Sequence, residues 1–206
     1  QVGEWQAALD WPAYSSAIAT IKSYIAQGHT YQVNYTMPLS ASFRGDPWAL
    51  YRDLTRSQQA QYMAYLDLGR FVICSASPEL FFVREGAELF SRPMKGTARR
   101  GRTLDEDLSQ MRWLQNSEKN RAENVMIVDM IRNDFGRIAE IGSVSVPELF
   151  TVERYPTLLQ MTSTVCARSQ VTLPEIMRAM FPCASITGAP KVRTMEIIKE
   201  LEPQAR

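Results

Sequence analysis

The sequence predicts one domain of the α+β class, and two patterns carry this prediction. Several segments repeat apolar residues at helical spacing, and between them lie short aromatic and β-branched runs that flank turns. Successive hairpins mixed with pairs of helices are typical of α+β proteins. The 206 residues suit one large domain or two small ones, and no repeat, low-complexity segment or linker divides them.

Two helices are predicted in the first part of the chain. The first begins at Pro12 and ends before Gly28, since proline suits a first helical turn and glycine suits a helix end. The second begins at Asp46-Pro47, where aspartate can cap a helix that proline opens, and ends near Leu54. The apolar face of the first helix consists of Tyr14, Ala17, Ile18, Ile21 and Ile25.

Two antiparallel hairpins are predicted next. Segments 62–66 and 71–75 flank the turn at 67–70, and segments 80–83 and 87–90 flank Glu85-Gly86. Both hairpins join runs rich in aromatic and branched residues, which indicates strands with a buried face.

The second half of the chain predicts four helices and one strand. Thr103 and Glu106 have the spacing of a capping box and begin a helix. A second helix, dense in apolar residues, covers about 118–132. The remaining elements are a half-buried strand at 157–167, a helix after the capping box Thr172-x-x-Glu175, and a last helix opened by Pro190.

Composition and charge exclude several classes of protein. The chain is 45% hydrophobic and 22% charged, close to the globular average, which argues against disorder. A formal net charge of +1 argues against binding nucleic acid or membranes through bulk charge. The single histidine, His29, excludes multi-histidine metal sites, and no apolar run approaches the roughly 18 residues of a membrane-spanning helix.

The start of the chain and its cysteines suggest a compartment. The chain begins at Gln1 with neither methionine nor a basic segment, so we expect a cut inside a longer protein rather than a signal peptide. Cys74, Cys166 and Cys183 are odd in number and widely spaced, as in reduced proteins without a thiolate metal cluster. We therefore expect a cytoplasmic protein.

The stretch 92–97 is the most informative one for chemistry. Pro93 restricts the backbone, Gly96 lets it come close to a ligand, and Lys95 is expected between them on a loop after a strand. Such a lysine can be a nucleophile where its surroundings favour the neutral amine; the alternative is a solvated loop lysine. Five cations lie between residues 92 and 102, and they could bind phosphate, nucleic acid or a small anionic substrate.

Two carboxylates and one loop complete the candidates. Glu79 precedes an apolar run, where partial burial would raise its pKa and suit proton transfer; the alternative is an ordinary turn glutamate. Glu123 lies on an apolar helix and needs a partner, either Mg²⁺ or an arginine. The small-residue loop 185–189 precedes Lys191 at a helix start, which favours an anion there; the alternative is a capped turn with an exposed lysine.

Five motifs, taken together and in this order, resemble the chorismate-utilising enzymes. That family includes component I of anthranilate synthase, component I of aminodeoxychorismate synthase, isochorismate synthase and salicylate synthase. The motifs cover nearly the whole chain, and five ordered motifs are far more specific than any one of them. They are GHTYQVN at 28–34, SPE at 77–79, PMKGT at 93–97, AEN through RND at 122–134, and SITGAPK at 185–191.

Two positions discriminate within that family. The Lys95 loop resembles that of aminodeoxychorismate synthases, whose lysine attacks C2 of chorismate and expels the C4 hydroxyl; ammonia then adds at C4 and displaces the lysine. Anthranilate synthases usually have alanine at this position. The resemblance therefore makes Lys95 the nucleophile and Glu79 the acid/base group. Gln32 matches the ammonia-using members rather than the water-using ones, which have lysine there.

The resemblance also implies the rest of the site. Gly96 and Thr97 would line the chorismate site together with Gln32, and Thr187 and Gly188 would contact a substrate carboxylate. Glu123 would bind Mg²⁺. The implied partner is a glutamine amidotransferase subunit that supplies ammonia, and the product, 4-amino-4-deoxychorismate, would serve para-aminobenzoate and folate synthesis.

The family fold is α+β, with two stacked, largely antiparallel sheets flanked by helices. Residues 1–206 would form a single chorismate-binding catalytic domain, incomplete at the C-terminus and lacking the family's N-terminal portion. Three other hypotheses stay open: anthranilate synthase component I, an inactive fragment of either enzyme, and a nucleic-acid-binding module built on the cations at 92–102. Two positions depart from the family pattern: Gln160 stands where some members have histidine, and Cys183-Ala184 stands where relatives often have glycines.

Overall fold

The computed structural model describes all 206 residues and contains seven helices and eleven strands. The helices are α1 Trp11–Ala26, α2 Pro47–Gln58, α3 Leu104–Asn116, α4 Glu118–Gly136, α5 Leu173–Met180, α6 Ala184–Thr187 and α7 Lys191–Leu201. The strands are β1 Gln6–Ala7, β2 Gln32–Val33, β3 Leu39–Ser40, β4 Tyr62–Asp67, β5 Val72–Ser77, β6 Leu80–Glu85, β7 Glu88–Arg92, β8 Met94–Arg99, β9 Ser145–Arg154, β10 Leu158–Arg168 and β11 Gly188–Ala189.

The predicted helix starts are confirmed, and side-chain caps account for them except at α7, which Pro190 precedes without a side-chain cap. The Asp10 and Asp46 carboxylates accept hydrogen bonds from backbone amides of the first turns of α1 and α2. The Thr103 hydroxyl does the same at α3, and a capping box begins α5. The ends of α2 and α4 lie four residues beyond the predicted ones, since nothing in either sequence stops the helix earlier.

All strand pairs are antiparallel, and the largest sheet is built around β10. One edge of β10 pairs with β9, while its other edge pairs with β8 near its start and with β7 near its end. Strand β6 extends the sheet beyond β7, and three two-stranded sheets, β1–β3, β2–β11 and β4–β5, complete the molecule. The predicted α+β class with antiparallel sheets flanked by helices is confirmed.

Two strands of the large sheet were not predicted from the sequence. Lys95, expected on a loop, lies inside β8, which begins directly after Pro93 and pairs with β10. That prediction is wrong because proline, glycine and cations are poor strand formers, and only the pairing with β10 makes this segment a strand. Strand β9 contains Pro147, which is tolerated because β9 is an edge strand that pairs with β10 alone.

The hydrophobic core lies between α4 and the large sheet. Ile127, Ile131 and Phe135 of α4 are almost fully buried against Leu89 of β7 and Val165 of β10. A second cluster joins α3 to the sheet through Leu114, Ala98, Leu159 and Met161. Burying one such side chain contributes roughly 1.5–3 kcal/mol, so this packing holds α4 rigidly beside β8. None of the helices is both long and apolar enough to cross a membrane.

Candidate active site

Lys95 and Glu79 lie together around Ser185, which belongs to the one-turn helix α6. The Lys95 ammonium donates a hydrogen bond to the Ser185 carbonyl oxygen, with an Nζ–O distance of 3.0 Å. The Glu79 carboxylate accepts a hydrogen bond from the Met94 amide at 3.3 Å, one residue before Lys95, and lies beside the Ser185 side chain. The two groups expected to perform chemistry are therefore neighbours in space.

Burial raises the pKa of Glu79, as expected from its position before an apolar strand. Loss of hydration is the dominant cause, because it disfavours the ionised carboxylate. Hydrogen bonds from Ser185 and Met94 and the charge of Lys95 oppose the rise in pKa and offset only part of it. A carboxyl group with a raised pKa beside a lysine is suited to donating and accepting a proton during a reaction.

Two side-chain amides are linked in a row that ends at the same carbonyl. Asn34 donates from Nδ2 to the Ser185 carbonyl oxygen at 2.6 Å, and Gln32 donates from Nε2 to Asn34 Oδ1 at 3.0 Å. Gln32 belongs to β2, which pairs with β11 directly after Ser185 and α6. The structure thus brings Gln32, Glu79 and Lys95 into one cluster.

Thr187 and Gly188 contribute backbone to this region. The Thr187 carbonyl accepts a hydrogen bond from the Asn34 amide at 2.8 Å, and its hydroxyl donates to the Cys183 carbonyl at 3.0 Å. Gly188 has φ +138°, and a Cβ there would lie 2.0 Å from the Gln32 carbonyl oxygen. Only glycine fits this position, because the two strands approach too closely for a side chain.

Gly96 and Thr97 follow Lys95 along β8 but face different surroundings. A Cβ on Gly96 would lie 3.1 Å from Asn120 Cβ and 3.2 Å from Met161 Cβ, so this glycine allows helix α4 to approach the strand. Thr97 shares the face of the strand that carries Lys95, because side chains alternate, and its hydroxyl donates to Gln160 Oε1 at 2.9 Å.

Glu123 is the carboxylate expected to bind a metal ion. Its side chain is 41% exposed, so the expectation that a buried helix face would force it to take a partner is wrong. Its nearest cation is Lys119, at 3.9 Å, and not an arginine. The neighbouring Asn124 donates from Nδ2 to the Lys95 carbonyl oxygen at 3.3 Å, which places the Glu123 turn of α4 against β8.

The donors present fit a Mg²⁺ site only in part. Glu123 offers one accessible carboxylate, and no cluster of three or more His, Cys, Asp or Glu side chains is positioned to hold a metal ion. Mg²⁺ is commonly held by one or two carboxylates together with substrate oxygens and water. Glu123 would therefore supply one protein oxygen, and the remaining ligands would come from elsewhere.

Lys191 has a partner that the sequence did not suggest. Its ammonium pairs with the buried Asp134 carboxylate of α4 and donates to the Met180 carbonyl oxygen at 3.1 Å. Burial raises the pKa of Asp134, while the positive charge of Lys191 opposes that rise. The anion expected near Lys191 is thus a side chain of the same protein, and the pair ties the 185–191 loop to α4.

The five cations between residues 92 and 102 do not form one patch. Arg92 pairs with Glu153 at 2.6 Å, Lys95 points to Ser185, and Arg100 pairs with Asp107 at 2.8 Å. A groove of about 400 Å³ contains the remaining arginines, but carboxylates balance their charge. Its charged lining residues are Arg99, Arg100, Arg102, Asp105 and Glu106. This balance disfavours the nucleic-acid hypothesis.

Sequence reasoning missed Asn34 and Ser185 as members of the cluster. Both lie within motifs that were recognised, at 28–34 and 185–191, so motif position was a usable signal. Ser185 holds Lys95 and Asn34 through its backbone carbonyl, which any residue type carries, so side-chain chemistry could not reveal that contact.

Comparison with known proteins identifies the family of this chain. A family model for chorismate binding enzymes matches residues 1–206. The chain belongs to this family. Aminodeoxychorismate synthase component 1 of Klebsiella aerogenes is 46% identical over 204 residues, which are 98% of this chain and 45% of that protein. Anthranilate synthase component 1 of Neisseria gonorrhoeae is 40% identical over 195 residues, or 94% of this chain and 40% of that protein.

The family fold is also found among solved structures. The crystal structure of anthranilate synthase component I from Streptococcus pneumoniae matches with a TM-score of 0.89 at 29% identity, over 98% of this chain and 45% of that one. The expected family membership is thus confirmed. The chain spans a little less than half the length of the curated relatives it matches.

Proposed function

We propose that this chain is part of an aminodeoxychorismate synthase component I, which aminates chorismate at C4. The observation that carries the proposal is the position of Lys95, whose amine contacts the Ser185 carbonyl beside the partly buried Glu79 carboxyl group. A nucleophilic amine next to a proton donor is what displacement of a hydroxyl group by lysine requires. The similarity to the Klebsiella aerogenes protein supports the same choice.

The proposed reaction has two displacement steps. The neutral Lys95 amine forms a bond to C2 of chorismate, the ring π electrons shift, and the C4–O bond breaks. Glu79 gives its proton to the departing hydroxyl, which leaves as water. Ammonia then bonds to C4, the π electrons shift back, and the C2–N bond breaks to release Lys95. The new ammonium group returns one proton to Glu79, which restores both residues.

The cofactor and partner belong to the same proposal. A Mg²⁺ ion, when bound, would neutralise a substrate carboxylate and polarise the departing oxygen. Glu123 would hold it, since its carboxylate is accessible on the α4 turn that packs against β8. A glutamine amidotransferase subunit would supply ammonia in the cytoplasm, and the names of the relatives as component 1 support a second component.

The substrate site would use Gln32, Gly96, Thr97, Thr187 and Gly188, and the catalytic domain would extend beyond residues 1–206. Gln32 and the backbone of Thr187 and Gly188 adjoin the Lys95–Glu79 cluster through the β2–β11 pair. Thr97 shares the Lys95 face of β8. The coverage of less than half of each curated relative supports a longer domain.

The deciding experiment uses the full-length protein that carries these residues, supplied with chorismate, Mg²⁺ and ammonium. We expect aminodeoxychorismate as the product, and Lys95→Ala should lower turnover by about 10²-fold or more because a covalent step is lost. Lys22→Ala is the control, since this lysine is exposed on α1, outside the cluster, and should leave turnover unchanged. Anthranilate as the product, or wild-type turnover of Lys95→Ala, would overturn the proposal.

A further inference from the structure

Two side-chain amides, those of Gln32 and Asn34, are hydrogen-bonded in series and end at the carbonyl oxygen that also binds Lys95. Asn34 donates to the Ser185 carbonyl oxygen at 2.6 Å, and Gln32 donates to Asn34 at 3.0 Å. Asn34 and Gln32 both project from the segment that pairs with β11, so strand pairing holds the series in place.

The Ser185 carbonyl decides which way both amides point. A carbonyl oxygen only accepts hydrogen bonds, so Asn34 must present its NH₂ group to it. The Asn34 oxygen then faces Gln32, which must in turn present its own NH₂ group. Reversal of either amide would bring two acceptors or two donors together inside a half-buried cluster, which is unfavourable because neither pair can form a hydrogen bond.

With both amides oriented in this way, one buried polar atom has no hydrogen-bond partner. Gln32 Oε1 is buried and accepts no hydrogen bond from any group of the chain. A buried acceptor in this state favours a ligand that carries an N–H or O–H donor, because the new hydrogen bond restores what burial removed. Ammonia is such a donor, and it is the second nucleophile of the proposed reaction.

We infer that Asn34 is a positioning residue that sets the polarity of the Gln32 amide, so that Gln32 Oε1 accepts a hydrogen bond from the incoming ammonia. The inference rests on the proposed function. The Ser185 carbonyl also accepts from Lys95 at 3.0 Å, so both lone pairs of one oxygen are used. Both nucleophiles, Lys95 and ammonia, are thereby positioned relative to the same backbone atom.

Steady-state kinetics of the full-length protein with ammonium test this role. In Asn34→Leu the Gln32 amide is free to turn, so the KM for ammonium should rise about tenfold while the KM for chorismate changes less than about twofold. Gln32→Leu should cause a similar rise, and the double variant should lose little more, since both act through one amide. An unchanged KM for ammonium in Asn34→Leu, or an equal rise of the KM for chorismate in that variant, would overturn the inference.

Tyr35→Phe is the matched control. It removes a hydrogen bond of the same segment, from the Tyr35 hydroxyl to the Leu201 carbonyl at 3.2 Å, outside the amide series. We expect wild-type KM values for both substrates. A rise in the ammonium KM for this variant as well would indicate a general loosening of the segment and would contradict a specific role of Asn34.

A second measurement does not depend on activity. Selective ¹⁵N labelling of glutamine allows the NH₂ signal of Gln32 to be identified by its loss in Gln32→Leu. Its hydrogens should exchange slowly in the wild type and rapidly in Asn34→Leu, because the bond to Asn34 protects them. If the wild type forms no aminated product, the proposed function fails, and equal exchange in both proteins would separately refute the amide order.

Discussion

Glu79 affects both catalysis and stability, because its burial favours the protonated carboxyl group. In the unfolded chain its pKa returns to about 4.3, below the raised value of the folded state. The contribution of Glu79 to stability is therefore complete below the unfolded pKa and is lost as the pH rises through the folded pKa.

The direction of this pH dependence predicts that replacing Glu79 by a neutral residue stabilises the protein at pH 7. At pH 7 Glu79→Gln should raise the melting temperature by about 2 °C or more while removing most activity, because a neutral amide of equal size does not titrate and so avoids the stability that the wild type loses through its raised pKa. The gain should vanish near pH 3, below the unfolded pKa, where both states of the wild type are protonated. Thermal melts at the two pH values give the comparison.

Glu85→Gln serves as its control, since Glu85 is exposed at the end of β6 and should show no gain at either pH. A Glu79→Gln variant that is less stable than the wild type at pH 7 would mean that its ionised form is favoured in the folded protein, contrary to the burial argument.

Glu123 permits a prediction about the metal. Glu123→Gln should raise the Mg²⁺ concentration needed for half-maximal activity at least about tenfold, because an amide oxygen is a weaker ligand than a carboxylate. Activity titrated with Mg²⁺ in the full-length protein gives the measurement. Asp129→Asn is the control on the same helix, since Asp129 is 59% exposed and pairs with Arg132. Identical titration curves for Glu123→Gln and wild type would remove Glu123 from the metal site.

At the scale of elements, the short β2–β11 pair decides whether the site can form. It has only two residue pairs, and Gly188 sits where the Gln32 carbonyl comes closest. The pair holds the segment of Gln32 and Asn34 against the loop of Ser185. Loss of this contact would separate the two amides from the carbonyl that orients them.

A pair of alanine substitutions tests this element. Gly188→Ala should destabilise the protein by on the order of 3 kcal/mol, because its Cβ would collide with the Gln32 carbonyl and its φ disfavours a side chain. Gly136→Ala, at the end of α4, meets no atom within 4 Å and should instead stabilise by roughly 0.5–1 kcal/mol. Denaturant unfolding measures both, and equal stability of the two variants would contradict the argument.

Hairpins and helices with local signals were predictable, whereas β8 and β9 were not. The capped helix α2 starts where Asp46 places it, and the first hairpin surrounds its expected turn. Strand β8 contains Lys95, Gly96 and Arg99, residues that disfavour strands when taken alone. Pairing with β10 overrides this preference, and partners distant in the chain leave no local pattern to recognise.

At the scale of the whole molecule, apolar surface remains exposed. Leu66 and Ile73 lie opposite each other on the β4–β5 hairpin, on the face away from Tyr65 and helix α2, and are 45% and 46% exposed. Exposed cross-strand apolar pairs are typical of surfaces that another segment or another molecule covers.

We therefore predict that residues 1–206 alone do not turn over chorismate. Glu123 supplies one carboxylate for Mg²⁺, and no further cluster of metal-binding side chains is present to complete the site. The isolated chain should also melt at a lower temperature than its longer parent or self-associate through its exposed strands. Product detection with chorismate, Mg²⁺ and excess ammonium tests the first point, and turnover close to that of the parent would show that the site is complete.

The sequence by itself determined the family, the class of fold and the two residues proposed for chemistry. These follow from local signals: caps act within three or four residues, hairpins across a short turn, and motifs within single segments. Glu79 and Lys95 were recognised in this way, each from its own segment.

Only the tertiary structure decided which of these segments meet. Lys95 contacts a carbonyl 90 residues away, Asn34 contacts the same carbonyl across 151 residues, and Lys191 pairs with Asp134 across 57. Packing of α4 on the large sheet and the close approach at Gly188 bring these groups together. The physical reason is that such contacts depend on buried area and backbone fit summed over the whole chain, which no local stretch of sequence encodes.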